Sequence, residues 1–197
     1  MNRITVWLFW LLVPGALSAQ DRSLEAVAQQ KFASGGTIRL HLESGGYTIS
    51  PTDSNQIVVT YRANSESQLK RVKVAIKPAL SSADIYVIDT PSSNFEATIE
   101  VPRESNLWAR LTAGELDVED IKGDKNLELW AGRIHIEIPH PEEYGHRDAS
   151  VTTGSIESSA FDISKGGLLR SFEQHGSGKY RLHAHVLTGE IDLTGTE

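Results

Sequence analysis

One short unit recurs in this chain, registered on a glycine. It reads Thr112-Ala113-Gly114-Glu115-Leu116-Asp117-Val118, then Trp130-Ala131-Gly132-Arg133-Ile134-His135-Ile136. It returns as Thr152-Thr153-Gly154-Ser155-Ile156-Glu157-Ser158 and as Leu187-Thr188-Gly189-Glu190-Ile191-Asp192-Leu193. Ser44-Gly45-Gly46-Tyr47-Thr48-Ile49 is an early, degenerate copy. Polar and aliphatic residues alternate after each glycine, which is the period of a strand with one buried face. A unit recurring roughly every 20 residues buries its aliphatic side chains against its own neighbours. Glycine fits a bend there, where φ turns positive or backbones approach closely. The register predicts an interior ladder of Leu116, Ile134, Ile156 and Ile191. A second ladder holds Val118, Ile136 and Leu193, with Ser158 the exception.

Upstream of the repeats the same period of two continues. Residues 37–42, 47–49, 57–61, 72–76, 85–88 and 97–101 are short, β-branched and bounded by Gly, Ser, Asn, Asp or Pro, which marks them as strands. Leu24, Val27, Ala28 and Phe32 lie near helical spacing, so residues 21–33 predict a short N-terminal helix or an unstructured lead-in. The expected fold is all-β: a single-domain β-solenoid, a parallel β-helix-like stack of short strands, with that helix in front. An antiparallel β-sandwich is the plainer alternative. Residues 34–197 form the domain, with the repeats clearest over 107–197. Residues 164–180 are either a further coil or an inserted loop.

Residues 1–19 have the layout of a secretory signal peptide: Arg3, then an apolar run from Ile4 to Val13, then Ala16-Leu17-Ser18-Ala19. The run is too short to span a membrane, and no second such run follows, so no transmembrane segment is expected in the mature chain. Residues 20–33 are the lead-in. The chain has no cysteine, which excludes thiolate chemistry and cysteine-ligated zinc and leaves an exported domain without disulfides. The net charge of −7 argues against nucleic acid as a partner.

Several features together resemble the bacterial putative-adhesin family of β-strand repeats, catalogued as a domain of unknown function. These are the exported N-terminus, the lead strand Gly36-Thr37-Ile38-Arg39-Leu40, Ser44-Gly45, the Val101-Pro102 strand end, and the recurrent Thr/Ala-Gly-Glu/Ser-Ile/Leu-Asp/Glu unit. The resemblance covers residues 31–197. It implies a β-solenoid and an envelope location, and it carries over no catalytic residue. Trp130 and Leu187 depart from the family's usual Thr or Ser, as do the long segments 139–148 and 164–180.

The sequence shows no catalytic motif and calls for no cofactor. Gly176-Ser177-Gly178-Lys179 fails as a phosphate loop, because Glu173 stands where the first glycine belongs and Tyr180 replaces the magnesium-holding hydroxyl. Residues 139–148 bring together His140, Glu142, Glu143, His146 and Asp148, yet read as a solvated loop whose prolines and glycine forbid a helix. His183 and His185 share one strand face without an identifiable third ligand. No metal site is expected. The candidate binding residues are instead the outer-face rows: Glu115, Arg133 and Glu190 one residue after each glycine, and Asp117, His135, Glu157 and Asp192 three after. Stacking in chain order would place His135 between Asp117 and Glu157. Trp108 and Trp130, near the bends, are candidates for stacking on a sugar ring or anchoring an interface.

The expected function is an exported, non-enzymatic adhesin-like binding or structural module of the bacterial cell envelope, periplasmic or at the cell surface. Its partner would be a protein or a polysaccharide. A polysaccharide-acting β-helix enzyme and a self-assembling scaffold are the alternatives.

Overall fold

The structure is a computed structural model and describes residues 24–195, so the expected signal peptide lies outside the described residues. The strands are β1 (Glu25–Lys31), β2 (Thr37–Leu42), β3 (Gly45–Thr52), β4 (Gln56–Arg62), β5 (Lys73–Pro78), β6 (Ser82–Ile88), β7 (Glu96–Pro102), β8 (Asn106–Val118), β9 (Lys125–Glu137), β10 (Tyr144–Ser158), β11 (Ile163–His175) and β12 (Tyr180–Thr194). A one-turn helix, α1 (Glu66–Leu69), is capped by the Ser65 hydroxyl, and a 3-10 turn spans Pro141–Glu143. All 12 strands belong to one open sheet.

The glycine repeat explains the shape of that sheet. β8, β9, β12 and β10 are long, parallel and in register, and each bends at its repeat glycine. Gly45, Gly114, Gly132, Gly189 and Gly154 pair successively across five strands. Gly114, Gly132, Gly189 and Gly154 have φ of +123°, +133°, +141° and +138°. A Cβ on Gly132 would lie 1.8 Å from the Gly114 carbonyl oxygen, and one on Gly189 or Gly154 would lie 1.7 Å from the next glycine's oxygen. Only hydrogen fits between these backbones, and only glycine holds this φ without strain.

The bend also divides the sheet. Ahead of its glycine, β8 pairs with β2, which leads on to β6 and β5. Beyond it, β8 pairs with β3, which leads to β7, β4 and β1. The far ends of these two wings, β1 and β5, approach one another. The inner faces enclose one apolar core. Its rows follow the strand pairing: Leu116–Ile134–Ile191–Ile156, and Val118–Ile136–Leu193–Ser158. Both expected ladders are present and buried. The buried Ser158 hydroxyl donates to the Leu193 carbonyl and accepts from the Phe161 amide, so its polarity is satisfied.

Three expectations are corrected. The N-terminal segment is not helical: residues 25–31 form β1, antiparallel to β4, because cross-strand pairing outweighs a weak helical spacing. The stack does not follow chain order: β12 inserts between β9 and β10. Residues 144–148 are not a loop but the first part of β10. The open question over 164–180 resolves into β11, an antiparallel arm on β10, and the turn to β12. Gly176–Lys179 falls in that turn.

One core row carries a charge. Leu107, Lys125 and Leu182 are paired neighbours, and Lys125 is 2% exposed. Its ammonium donates to the Ile121 carbonyl at 2.5 Å and to the Tyr144 hydroxyl. Loss of water pushes its pKa down to about 8, although Asp120, Asp124 and Glu143 favour the charged form. Burial pushes the Tyr47 and Tyr144 phenols up.

Gly189→Ala is expected to destabilise by more than about 3 kcal/mol through collision and strained φ. Gly166→Ala, with nothing within 4 Å of its Cβ, should stay within about 0.5 kcal/mol. Urea unfolding of both variants distinguishes these outcomes. Between pH 8 and 10 the unfolded chain keeps a proton on Lys125 that the folded chain releases, so stability rises with pH across that window. Lys125→Met should abolish a rise of about 2 kcal/mol, read from urea midpoints at both pH values. Above pH 10 the buried tyrosines act in the opposite sense, because the unfolded phenols ionise first.

Candidate functional site

The bend gives the sheet two outer faces. Beyond the glycines, the first outward row is Glu115–Arg133–Glu190–Ser155 and the second is Asp117–His135–Asp192–Glu157. The structure thus gathers the expected polar strip but reorders it. His135 lies between Asp117 and Asp192 rather than beside Glu157, because β12 intervenes. Its Nδ1 is 3.4 Å from the Asp117 carboxylate and its Nε2 is 3.0 Å from the Thr194 hydroxyl. Glu157 accepts from the Ser164 hydroxyl on β11. Arg133 lies between Glu115 and Glu190 but makes no ion pair within 4.0 Å among the described residues. A groove of about 400 Å³ opens where this strip meets β3, β4 and β7, lined by Glu25, Arg62, Glu96, Glu115 and Asp117. Glu96 in that groove accepts from the Arg62 guanidinium.

Ahead of the glycines the outer face is aromatic and cationic. β2 lies between β6 and β8, so Tyr86, His41 and Arg110 form one row and Asp84, Arg39 and Trp108 the next. His41 stacks on Tyr86 with centroids 4.5 Å apart and planes 7° off parallel, and its ring is 5.3 Å from that of Trp108. Arg110 lies 4.7 Å over Trp108 and Lys77 lies 4.6 Å over Tyr86. Glu128 fixes Arg110 at 2.9 Å. Trp108 is therefore not at a bend but half-buried within this strip. Trp130 is at the bend and 70% exposed. It borders a groove of about 520 Å³ with His41, Ile88, Arg110 and Glu128.

Sequence reasoning found both tryptophans but missed Tyr86, His41 and Arg110. The available signal was the alternation within 39–41, 84–86 and 108–110. It could not show that three strands distant in sequence lie side by side.

A second constellation lies at the other end of this face. His146 and Asp148 on β10 face His175 and Glu173 on β11, and His183 on β12 meets Asp148. The sequence reading separated these residues into a loop, a turn region and an isolated pair. Of that loop, His140 stays apart, near Glu142 at 3.4 Å. His185 also stays outside the group, sharing a hydrogen bond with the Ser150 hydroxyl at 2.8 Å.

No family model matches the sequence, and no curated protein matches it either. Solved structures do. A putative cell adhesion protein from Clostridium sporogenes is similar over 87% of this chain and 100% of its own, at 10% identity and TM-score 0.57. A putative adhesin from Bacteroides fragilis is matched over 86% of this chain and 96% of its own, at 8% identity and TM-score 0.31. One from Parabacteroides distasonis is matched over 87% and 71%, at 9% identity and TM-score 0.26. At such identities the likeness is one of fold, and of these three the Clostridium structure, at TM-score 0.57, bears on it. Among the described residues no helix is long and apolar enough to cross a membrane.

Proposed function

We propose that this protein is an exported, non-enzymatic adhesin-like binding module of the bacterial cell envelope. Its stacked, glycine-bent strands serve as a solenoid-like frame that presents a flat face to a polysaccharide. The aromatic and cationic strip carries this reading. Tyr86, His41 and Trp108 form a ladder of packed rings with Lys77 over Tyr86 and Arg110 over Trp108, and the exposed Trp130 projects beside it. Sugar rings present C–H faces that stack on an exposed indole such as Trp130, while their hydroxyls reach the flanking Arg110, Glu128 and His41. Frame strands fix the strip, so little ordering entropy is lost on binding. The sequence resemblance to the adhesin family supports the same reading.

The polar strip beyond the bend gives the fold a second face of different chemistry. Its acids and Arg133 would suit a protein partner. Self-assembly is the other reading favoured by an observation: the sheet is open, and its edge strand β11 carries Leu168 and Leu169, both well exposed.

The test is binding of the mature chain to a panel of neutral and acidic bacterial polysaccharides, by thermal shift and calorimetry. A ligand of the folded chain stabilises it by RT ln(1 + [L]/Kd), so the melting temperature rises with the logarithm of its concentration once this exceeds Kd. Trp130→Ala should weaken binding about tenfold, or about 1.4 kcal/mol, while changing stability by less than about 0.5 kcal/mol because the side chain is exposed. Binding of no polysaccharide, or binding indifferent to Trp130 and Trp108, overturns the polysaccharide reading. Concentration-dependent assembly in light scattering that is lost in Leu168→Lys would support the scaffold instead.

A further inference from the structure

We propose that β10, β11 and β12 form a binding site for a divalent transition cation of the zinc type, ligated by His146, His175 and Glu173, with Asp148 beside them. This inference stands apart from the polysaccharide reading, since it concerns other residues on the same face.

Strand pairing builds the group. His146 and His175 are directly opposite in the antiparallel pair β10–β11, and Asp148 and Glu173 are the opposed pair two residues along. Residues two apart on a strand share a face, so all four point outward together. On the other side of β10, the parallel strand β12 sets His183 opposite Asp148. Three histidines and two carboxylates from three strands thereby meet on one surface. His146, Glu173 and His175 each bring one ligand atom to within 4.8 Å of the other two.

The imidazole–carboxylate spacings fit edges of a coordination sphere. Zinc holds nitrogen and oxygen ligands at about 2.0–2.2 Å, so tetrahedral neighbours lie about 3.3–3.5 Å apart. His175 Nε2 is 3.2 Å from Glu173 Oε1, and His146 Nε2 is 3.3 Å from Asp148 Oδ1. His146 Nε2 is 4.0 Å from Glu173 Oε1, an edge that a small rotation of the exposed Glu173 closes. Imidazole with carboxylate is a donor set that suits zinc and its neighbours and is poor for magnesium or calcium.

The carboxylates supply an independent reason for a cation. Asp148 and Glu173 are like charges directly opposite on one face, an unfavourable pairing. Among the described residues their ion-pair partners within 4.0 Å are all histidines, which are charged only when protonated. Lys165, which lines this groove, is turned to the Ser171 carbonyl at 2.8 Å. A divalent ion held by one nitrogen of each imidazole would neutralise both carboxylates.

His183 completes the arrangement as a positioning residue. Its Nδ1 is 2.5 Å from Asp148 Oδ2, which orients Asp148 toward His146. A carboxylate held in this way fixes a ligating imidazole, and its removal typically costs about ten- to a hundredfold in metal affinity. The groove beyond the ligands, lined by Ser150 and Ser171, leaves room for a water molecule in a remaining coordination position.

The experiment uses the mature chain, stripped with a chelator and titrated with zinc chloride by calorimetry. Cobalt(II) is added in parallel, because its visible bands report tetrahedral nitrogen and oxygen ligation. One equivalent should bind, and zinc should raise the melting temperature. His175→Ala, at an exposed side chain, should weaken binding by at least about tenfold, and Asp148→Asn by a comparable factor. His140→Ala, outside the group, should leave binding unchanged. Failure to bind one equivalent, or binding indifferent to His175→Ala, overturns the proposal.

Discussion

At the corner of the sheet, backbone meets backbone. The place a Cβ would occupy on Gly154 is filled by the Gly189 carbonyl, that on Gly189 by Gly132, and that on Gly132 by Gly114. Because each bend nests against the next, the strands cannot slip by one residue without driving a side chain into a carbonyl. Register is thus fixed at the bend and transmitted both ways along each strand. The aliphatic rows of the core and the polar and aromatic rows outside it are consequences of this one contact. So is the division of the sheet into two wings, since β8 bends away from a single partner and takes β2 on one side of its glycine and β3 on the other.

The chain holds this arrangement without disulfides. Buried Ile, Leu, Val and Ala fill most inward positions of the stack. The fully buried polar intrusions into the rows, Lys125 and Ser158, are both hydrogen-bonded, and the half-buried Arg147, next in the Lys125 row, lies 4.5 Å over the Phe161 ring. Lys125 ties the Ile121 turn to Tyr144 at the start of β10, so a buried charge joins two segments whose strands are not neighbours in the sheet. Such a contact costs desolvation and returns a defined geometry.

The fold was legible where local chemistry dictates it. Alternation after Gly114, Gly132, Gly154 and Gly189 marks strands, inward positions and bends from the sequence alone, and the weak copy at Gly45 proved to be the next member of the same column. Residues 25–31 misled because Leu24, Val27, Ala28 and Phe32 fall at helical spacing, whereas pairing with β4 makes a strand that turns Val27 outward and Ala28 to the core. The candidate sites were less legible. Trp108 and Trp130 stand out by size, but Tyr86 and His41 gain meaning only as lateral neighbours. His146, Asp148, Glu173, His175 and His183 are spread over 38 positions of the chain and converge only through the pairing of three strands.

Sequence by itself determined the all-β character, the bend positions, the inward and outward residues of each repeat, and the absence of cysteine chemistry. These are set within one strand, where side chains alternate and glycine alone accepts the bend. Tertiary structure decided the order of the strands, with β12 slotted between β9 and β10, and the antiparallel return of β11. It thereby decided which outward side chains become neighbours. Lateral order is a property of long-range backbone pairing, in which every repeat offers nearly the same edge. No local pattern chooses among such equivalent partners.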